Sequence, residues 1–135
     1  MDCLFCKIAN KEIPANIIEE NDDAIAILDI EPKAPGHTMV LPKVHAETIL
    51  DLPKEKIAPV FEVVQKVTGK LKKALLPDGF TLGINHGKNA GQAIDHLHIH
   101  IIPRYKGDNG GNIHSIVENP PKESIDEIKK KILSL

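Results

Sequence analysis

The sequence predicts an α+β domain: an antiparallel five-stranded sheet with one long helix and short helices near the termini. Three observations carry this. Five short aliphatic stretches are joined mostly by short, turn-rich loops. One long stretch between the third and fourth has helical periodicity. The connections are too short for repeated parallel crossovers, so neighbouring strands run antiparallel, with the helices gathered on one face.

The elements follow in order. Cys3 to Asn10 reads as a short helix or turn, and Lys11 to Pro14 leads out of it. Ile17–Glu20 and Ala24–Asp29 flank Asn21-Asp22-Asp23, a hairpin pattern. Glu31 to Gly36 is a loop with two prolines, which cannot donate to a sheet ladder. His37 to Leu41 is the third strand. Asp51 stands at an expected N-cap, with Pro53 in the first turn. Ile57, Val60, Phe61, Val64, Val67, Leu71 and Leu75 then recur every three or four residues as one apolar stripe. Pro77-Asp78-Gly79 ends that helix. Gly69 in its interior is expected to serve close packing, since glycine there costs about 1 kcal/mol against alanine. Phe80–Asn85 and Ile94–Pro103 are the fourth and fifth strands, separated by a Gly-rich polar loop, His86 to Gln92. After a second glycine-rich loop at 107–111, Ser124 to Glu127 is a capping box opening a terminal helix. Ile125, Ile128, Ile132 and Leu133 are expected to face inward there.

The chain has 135 residues, 41% hydrophobic and 27% charged, with a formal charge of −2. That fits a single domain over 1–135, with a C-terminal loop and helix over 107–135. The charge gives no footprint for nucleic acid, and 3% aromatics leave little material for base stacking. No apolar run is long enough to span a bilayer, and Met1-Asp2-Cys3 does not begin a signal peptide, so a cytoplasmic protein without membrane contact is expected.

The densest chemistry lies in His96-Leu97-His98-Ile99-His100. Side chains alternate along a strand, so the three imidazoles share one face roughly 7 Å apart per step, and Leu97, Ile99 and Ile101 share the other. The loop before it brings backbone N–H groups and the amides Asn85 and Gln92 beside the histidines, as an anion site needs. A solvated strand face with neutral histidines is the alternative. Cys3 and Cys6 form one CxxC, a half-site for metal or a pair of reduced thiols, with no βαβ setting for a thioredoxin-like role. Arg104 is expected to pair with a carboxylate, and His86 and His114 fit no pattern.

Gly91 to Arg104, with its His-x-His-x-His core, resembles the signature of the histidine triad superfamily. Leu4–Ile8, Glu12–Ala15, Leu28–Pro32, Ala34–His37, Leu41–His45 and Asn85 extend the likeness to the Hint branch across residues 3–106. The resemblance implies hydrolysis or transfer at the α-phosphorus of a purine nucleotide, a phosphoramidate of AMP or similar. His98 is then the nucleophile, forming a nucleotidyl-histidine, with His96 and His100 as the other catalytic histidines, and His100 and His37 contact the phosphate or assist the leaving group. The leaving group's proton is expected from a neighbouring imidazolium. Asn85 and Gln92 orient the phosphate end, Asp29 holds the ribose hydroxyls, and Phe5, Ile8, Ile13 and Leu28 lie near the base. From the residues alone, Asp29 reads equally as a turn cap, and the four apolar residues as plain core. Ala93 stands where several Hint relatives carry serine, removing a hydroxyl donor to the phosphate and leaving the phosphoramidate preference open. Some bacterial relatives resemble the arrangement of Cys3, Cys6, His45 and His96, implying structural zinc, with no metal needed for catalysis. The resemblance also implies a homodimer paired through the long helix. Dinucleoside polyphosphate hydrolysis, a catalytic metal on the three histidines, and a non-enzymatic nucleotide sensor are the other readings.

Overall fold

Residues 2–135 are described by the structure, a computed structural model; Met1 lies outside it. The elements are α1 (Leu4–Ala9), β1 (Ile17–Glu20), β2 (Ala24–Leu28), β3 (Thr38–Pro42), α2 (Lys54–Leu75), β4 (Gly79–Gly83), β5 (Ile99–Arg104) and α3 (Ile125–Leu133). The sheet runs β1-β2-β3-β5-β4 with every neighbouring pair antiparallel. The α+β, five-stranded architecture is as expected. No helix among the described residues is long and apolar enough to cross a membrane.

Alternation along the strands builds a core on each face. Ala24, Ala26, Val40, Leu97, Ile99 and Ile101 pack against Val60, Val63, Val64, Val67 and Leu71 of α2. Ile25, Ile27, Met39 and Leu41 turn to the opposite face and meet Phe5, Ile8 and Ala9 of α1. The helices therefore do not share one face. α1 covers part of the histidine face, because Phe5 and Ile8 need apolar partners and that half of the sheet supplies them. The hairpin of β1 and β2 is closed by Asn21, whose Oδ1 accepts the N–H groups of Asp23 and Ala24, each at 2.8 Å.

Four expectations change. Asp51 does not cap α2: Pro53 precedes the helix, and the Asp51 carboxylate accepts from the N–H and Oγ1 of Thr48 instead. Ile57, Phe61 and Leu75 of the apolar stripe lie exposed, and a Cβ on Gly69 would meet nothing within 4 Å, so no packing within this chain requires that glycine. β5 starts at Ile99 rather than Ile94, and β4 covers Gly79–Gly83. Before Ile99 the backbone leaves the ladder: His96 N–H turns back to Ile94 O at 2.8 Å, and Leu97 N–H reaches Ala46 O at 2.7 Å. α3 has its capping box, with Ser124 and Glu127 reciprocally bonded, but no buried residue. Ile125, Ile132 and Leu133 are exposed, and only Ile128 of the four is half-buried.

Candidate active site and metal cluster

Two successive two-residue steps down one stretch put His96, His98 and His100 on the α1 side of the sheet, opposite Leu97, Ile99 and Ile101. Only His100 lies within β5; the other two stand in the extended approach to it. Their proton positions follow from their partners, because a carbonyl only accepts and an amide N–H only donates.

His96 is fully buried and donates Nε2–H to Pro42 O at 2.9 Å. Its Nδ1 lone pair therefore faces Cys3 Sγ at 3.4 Å and Cys6 Sγ at 3.5 Å. His45 Nδ1 lies 3.2 Å from Cys6 Sγ, and all four ligand atoms fall within 4.8 Å of one another. Ligands of tetrahedral zinc, bound at about 2.0–2.3 Å, sit roughly 3.3–3.8 Å apart, so this donor set matches. The Pro42 carbonyl gives His96 the outer partner that metal-bound histidines use. Burial and the neighbouring Cys3 thiol push the Cys6 thiol up to about 11, so without a cation it keeps its proton.

His98 is buried and donates Nδ1–H to His96 O at 2.8 Å. Its Nε2 is thereby the unprotonated nitrogen of the neutral ring. The Phe5 ring meets the His98 ring edge-on at 5.1 Å, and the His100 ring lies 5.0 Å away. Ile13 packs against the cluster that holds Phe5 and Ile8, while Leu28 is half-buried at the end of β2.

A second chain of bonds sets His100. Lys33 N–H donates to His37 Nδ1 at 3.1 Å, so His37 carries its proton on Nε2. That proton goes to His100 Nδ1 at 2.9 Å, leaving His100 with Nε2–H. Burial, followed by its His98 and His37 neighbours, pulls the His100 pKa down to about 4; burial also lowers that of His37. Both shifts favour the uncharged rings, so His100 presents Nε2–H as a neutral donor. Asp29 serves two ends. Its Oδ1 caps the turn by accepting Glu31 N–H at 2.8 Å, and its Oδ2 lies 3.6 Å from His37 Nε2.

The phosphate-end residues divide. Asn85 is exposed, and Gly91 sits over it so closely that a Cβ would stand 3.4 Å from Asn85 Nδ2. Gly91 also has φ +99°, a conformation that favours glycine. Gln92, by contrast, is buried with its amide bonded only to backbone: Gly87 N–H, Glu47 O and Ile94 O. Contact with a phosphate would require it to give up one of these. Ala93 is exposed beside it. Arg104 does pair with a carboxylate, Asp108, at 2.7 and 3.0 Å. Sequence reasoning missed Lys33, Pro42 and Glu47, which act through backbone groups that every residue type carries.

A family model for the HIT domain matches residues 10–107. An uncharacterised HIT-like protein of Methanocaldococcus jannaschii is 42% identical over 96% of this chain and 98% of its own. An adenosine 5'-monophosphoramidase of Schizosaccharomyces pombe is 40% identical over 77% and 75%. Among solved structures, a HIT family member from Bacillus subtilis superposes with TM-score 0.87 at 31% identity, covering 99% of this chain and 94% of that one. A zinc-bound histidine triad protein from Mycobacterium smegmatis gives 0.74 at 35% identity, over 91% and 85%. The order of motifs, the sheet and the clustered histidines agree with these matches, and the chain belongs to the HIT family.

Proposed function

We propose that this protein is a nucleotide hydrolase or transferase that cleaves a bond at the α-phosphorus of a purine nucleoside monophosphate derivative, a phosphoramidate or a close analogue. The observation that carries the reading is the bond from His98 Nδ1–H to His96 O, which leaves Nε2 of His98 as a lone pair beside a donor, His100 Nε2–H. Nε2 attacks phosphorus, an N–P bond forms, and the bond to the leaving group breaks with its electron pair. The leaving group takes its proton from solvent. Water then cleaves the N–P bond, releasing the nucleoside monophosphate and restoring the imidazole. His100 donates to a phosphoryl oxygen throughout, in a site where preset donors stabilise developing charge.

In this reading Phe5, Ile8, Ile13 and Leu28 border the base, Asp29 Oδ2 accepts from the ribose, and Asn85 with the backbone of 91–93 meets the phosphate. His37 acts through His100. His96 belongs to the metal cluster and reaches the chemistry only through its carbonyl. Cys3, Cys6, His45 and His96 would hold zinc, which supplies a structural cross-link when bound. A homodimer through the exposed apolar residues of α2, Ile57 and Phe61, with Leu82 of β4, completes the reading. Its setting is the cytosol, where the two free thiols stay reduced.

The test is rapid quench of the enzyme with a labelled AMP phosphoramidate, followed by mass spectrometry. An acid-labile nucleotidyl adduct on His98 is expected. Turnover with no adduct at any quench time would overturn the covalent scheme. Diadenosine polyphosphates, assayed alongside, would displace the phosphoramidate reading if strongly preferred.

A further inference from the structure

Gln92 is the one residue of the 87–92 loop whose side chain is buried, and its carboxamide can be oriented only one way. Gly87 N–H donates to Oε1 at 2.8 Å. Nε2 donates to Glu47 O at 2.7 Å and to Ile94 O at 3.1 Å. Glu47 lies two residues after His45, and Ile94 two residues before His96. The donor end therefore ties together the two backbone stretches that deliver both imidazoles to the Cys3–Cys6–His45–His96 cluster. Between those ties runs a third, Leu97 N–H to Ala46 O at 2.7 Å. The acceptor end closes the loop, helped by Gln92 N–H to Gly87 O at 3.1 Å. Both N–H groups of the amide are taken, so neither is left to donate to a phosphate.

We infer that Gln92 is a positioning residue that couples the metal cluster to the nucleotide's phosphate loop. Its amide holds the loop in shape when the two histidine stretches are held together, and holds those stretches together when the loop is closed. Metal affinity and nucleotide affinity consequently depend on each other through this one side chain. Reciprocity of this kind is required of any true coupling between two sites. The inference rests on the zinc and nucleotide readings above, and it reassigns Gln92 from a phosphate ligand to a clamp.

The experiment measures zinc affinity by chelator competition with no nucleotide present, and AMP affinity by calorimetry with and without zinc. It uses the full chain as wild type, Gln92→Met and Gln92→Glu. Methionine keeps the volume and loses all three bonds. Glutamate keeps an acceptor for Gly87 N–H and loses both donor bonds, and it serves if the methionine variant does not fold. Zinc binding is expected to weaken about 10-fold in either variant, the loss typical when an outer partner of a metal ligand is removed. Removing zinc should weaken AMP binding to the wild type several-fold, and should have little further effect on the variants. Wild-type zinc affinity in a folded variant that still loses AMP affinity would overturn the clamp and return Gln92 to the phosphate. A wild type that binds AMP but no zinc would overturn the metal reading and the coupling with it.

Discussion

His96 and His37 are both buried imidazoles on the same face of the sheet, yet they are arranged for opposite work. His96 sends its proton to a backbone carbonyl, so its remaining lone pair converges with two sulfurs and a second imidazole. His37 receives a backbone N–H on its lone pair, so it offers its neighbour a proton instead. The first pattern converges two imidazoles and two sulfurs on one point, the donor set a cation takes. The second strings donor to acceptor in a line that ends on a free N–H at His100. Whether a buried histidine becomes a ligand or a proton-positioning group is decided by the partner of its other nitrogen. His98 stands between the two, oriented by the carbonyl of a cluster residue and flanked by the end of the donor chain.

The largest effect should come from the residue both regions serve. His98→Ala removes the proposed nucleophile, and kcat is expected to fall by about 10⁴ or more while AMP still binds; steady-state rates with calorimetric binding check both halves. Cys6→Ser breaks the proposed zinc cluster directly. Zinc content should drop from one per chain to near zero, with Tm lowered and AMP binding weakened several-fold, read by elemental analysis and calorimetry. His37→Phe breaks the donor chain alone. It fills the space but leaves His100 free to choose its tautomer, so kcat should fall about 100-fold with zinc content unchanged. His37→Gln, which can accept from Lys33 N–H and donate to His100, should recover much of that loss. A His37→Gln enzyme no better than His37→Phe would count against the tautomer role.

The smallest effect concerns pH. His37 and His100 both titrate lower in the folded protein than the ordinary 6.5, His100 at about 4. Between those values the unfolded chain binds more protons than the folded one, so stability rises with pH across the window. Buried His96 shifts the same way, so thermal unfolding should show Tm falling as pH drops from 6.5 to 4, and less steeply in His37→Phe, which removes one of the three groups.

Much of this was legible beforehand because it follows from periodicity. The alternation of His and aliphatic residues around Ile99, the α2 stripe at Val60, Val64, Val67 and Leu71, and the Ser124 capping box all stand where local rules put them. Errors arose where the neighbouring segment decides. Ile57 and Phe61 satisfy the stripe but lie exposed, and α3 is amphipathic with no fully buried residue. Ile94–His98 has strand-like side chains, but its backbone is drawn off by Ala46 and by its own turn.

By itself, the order of residues settled which side chains could share a face, since a strand repeats every two residues and a helix every 3.6 whatever surrounds them. It also settled which atoms were available as ligands and nucleophile. Only the folded chain decided which nitrogen of each imidazole holds the proton. That choice belongs to the amide of Lys33 and the carbonyls of Pro42 and His96, brought into reach across distant stretches or a turn of the backbone. Peptide groups are the same at every position, so no pattern of side chains announces them.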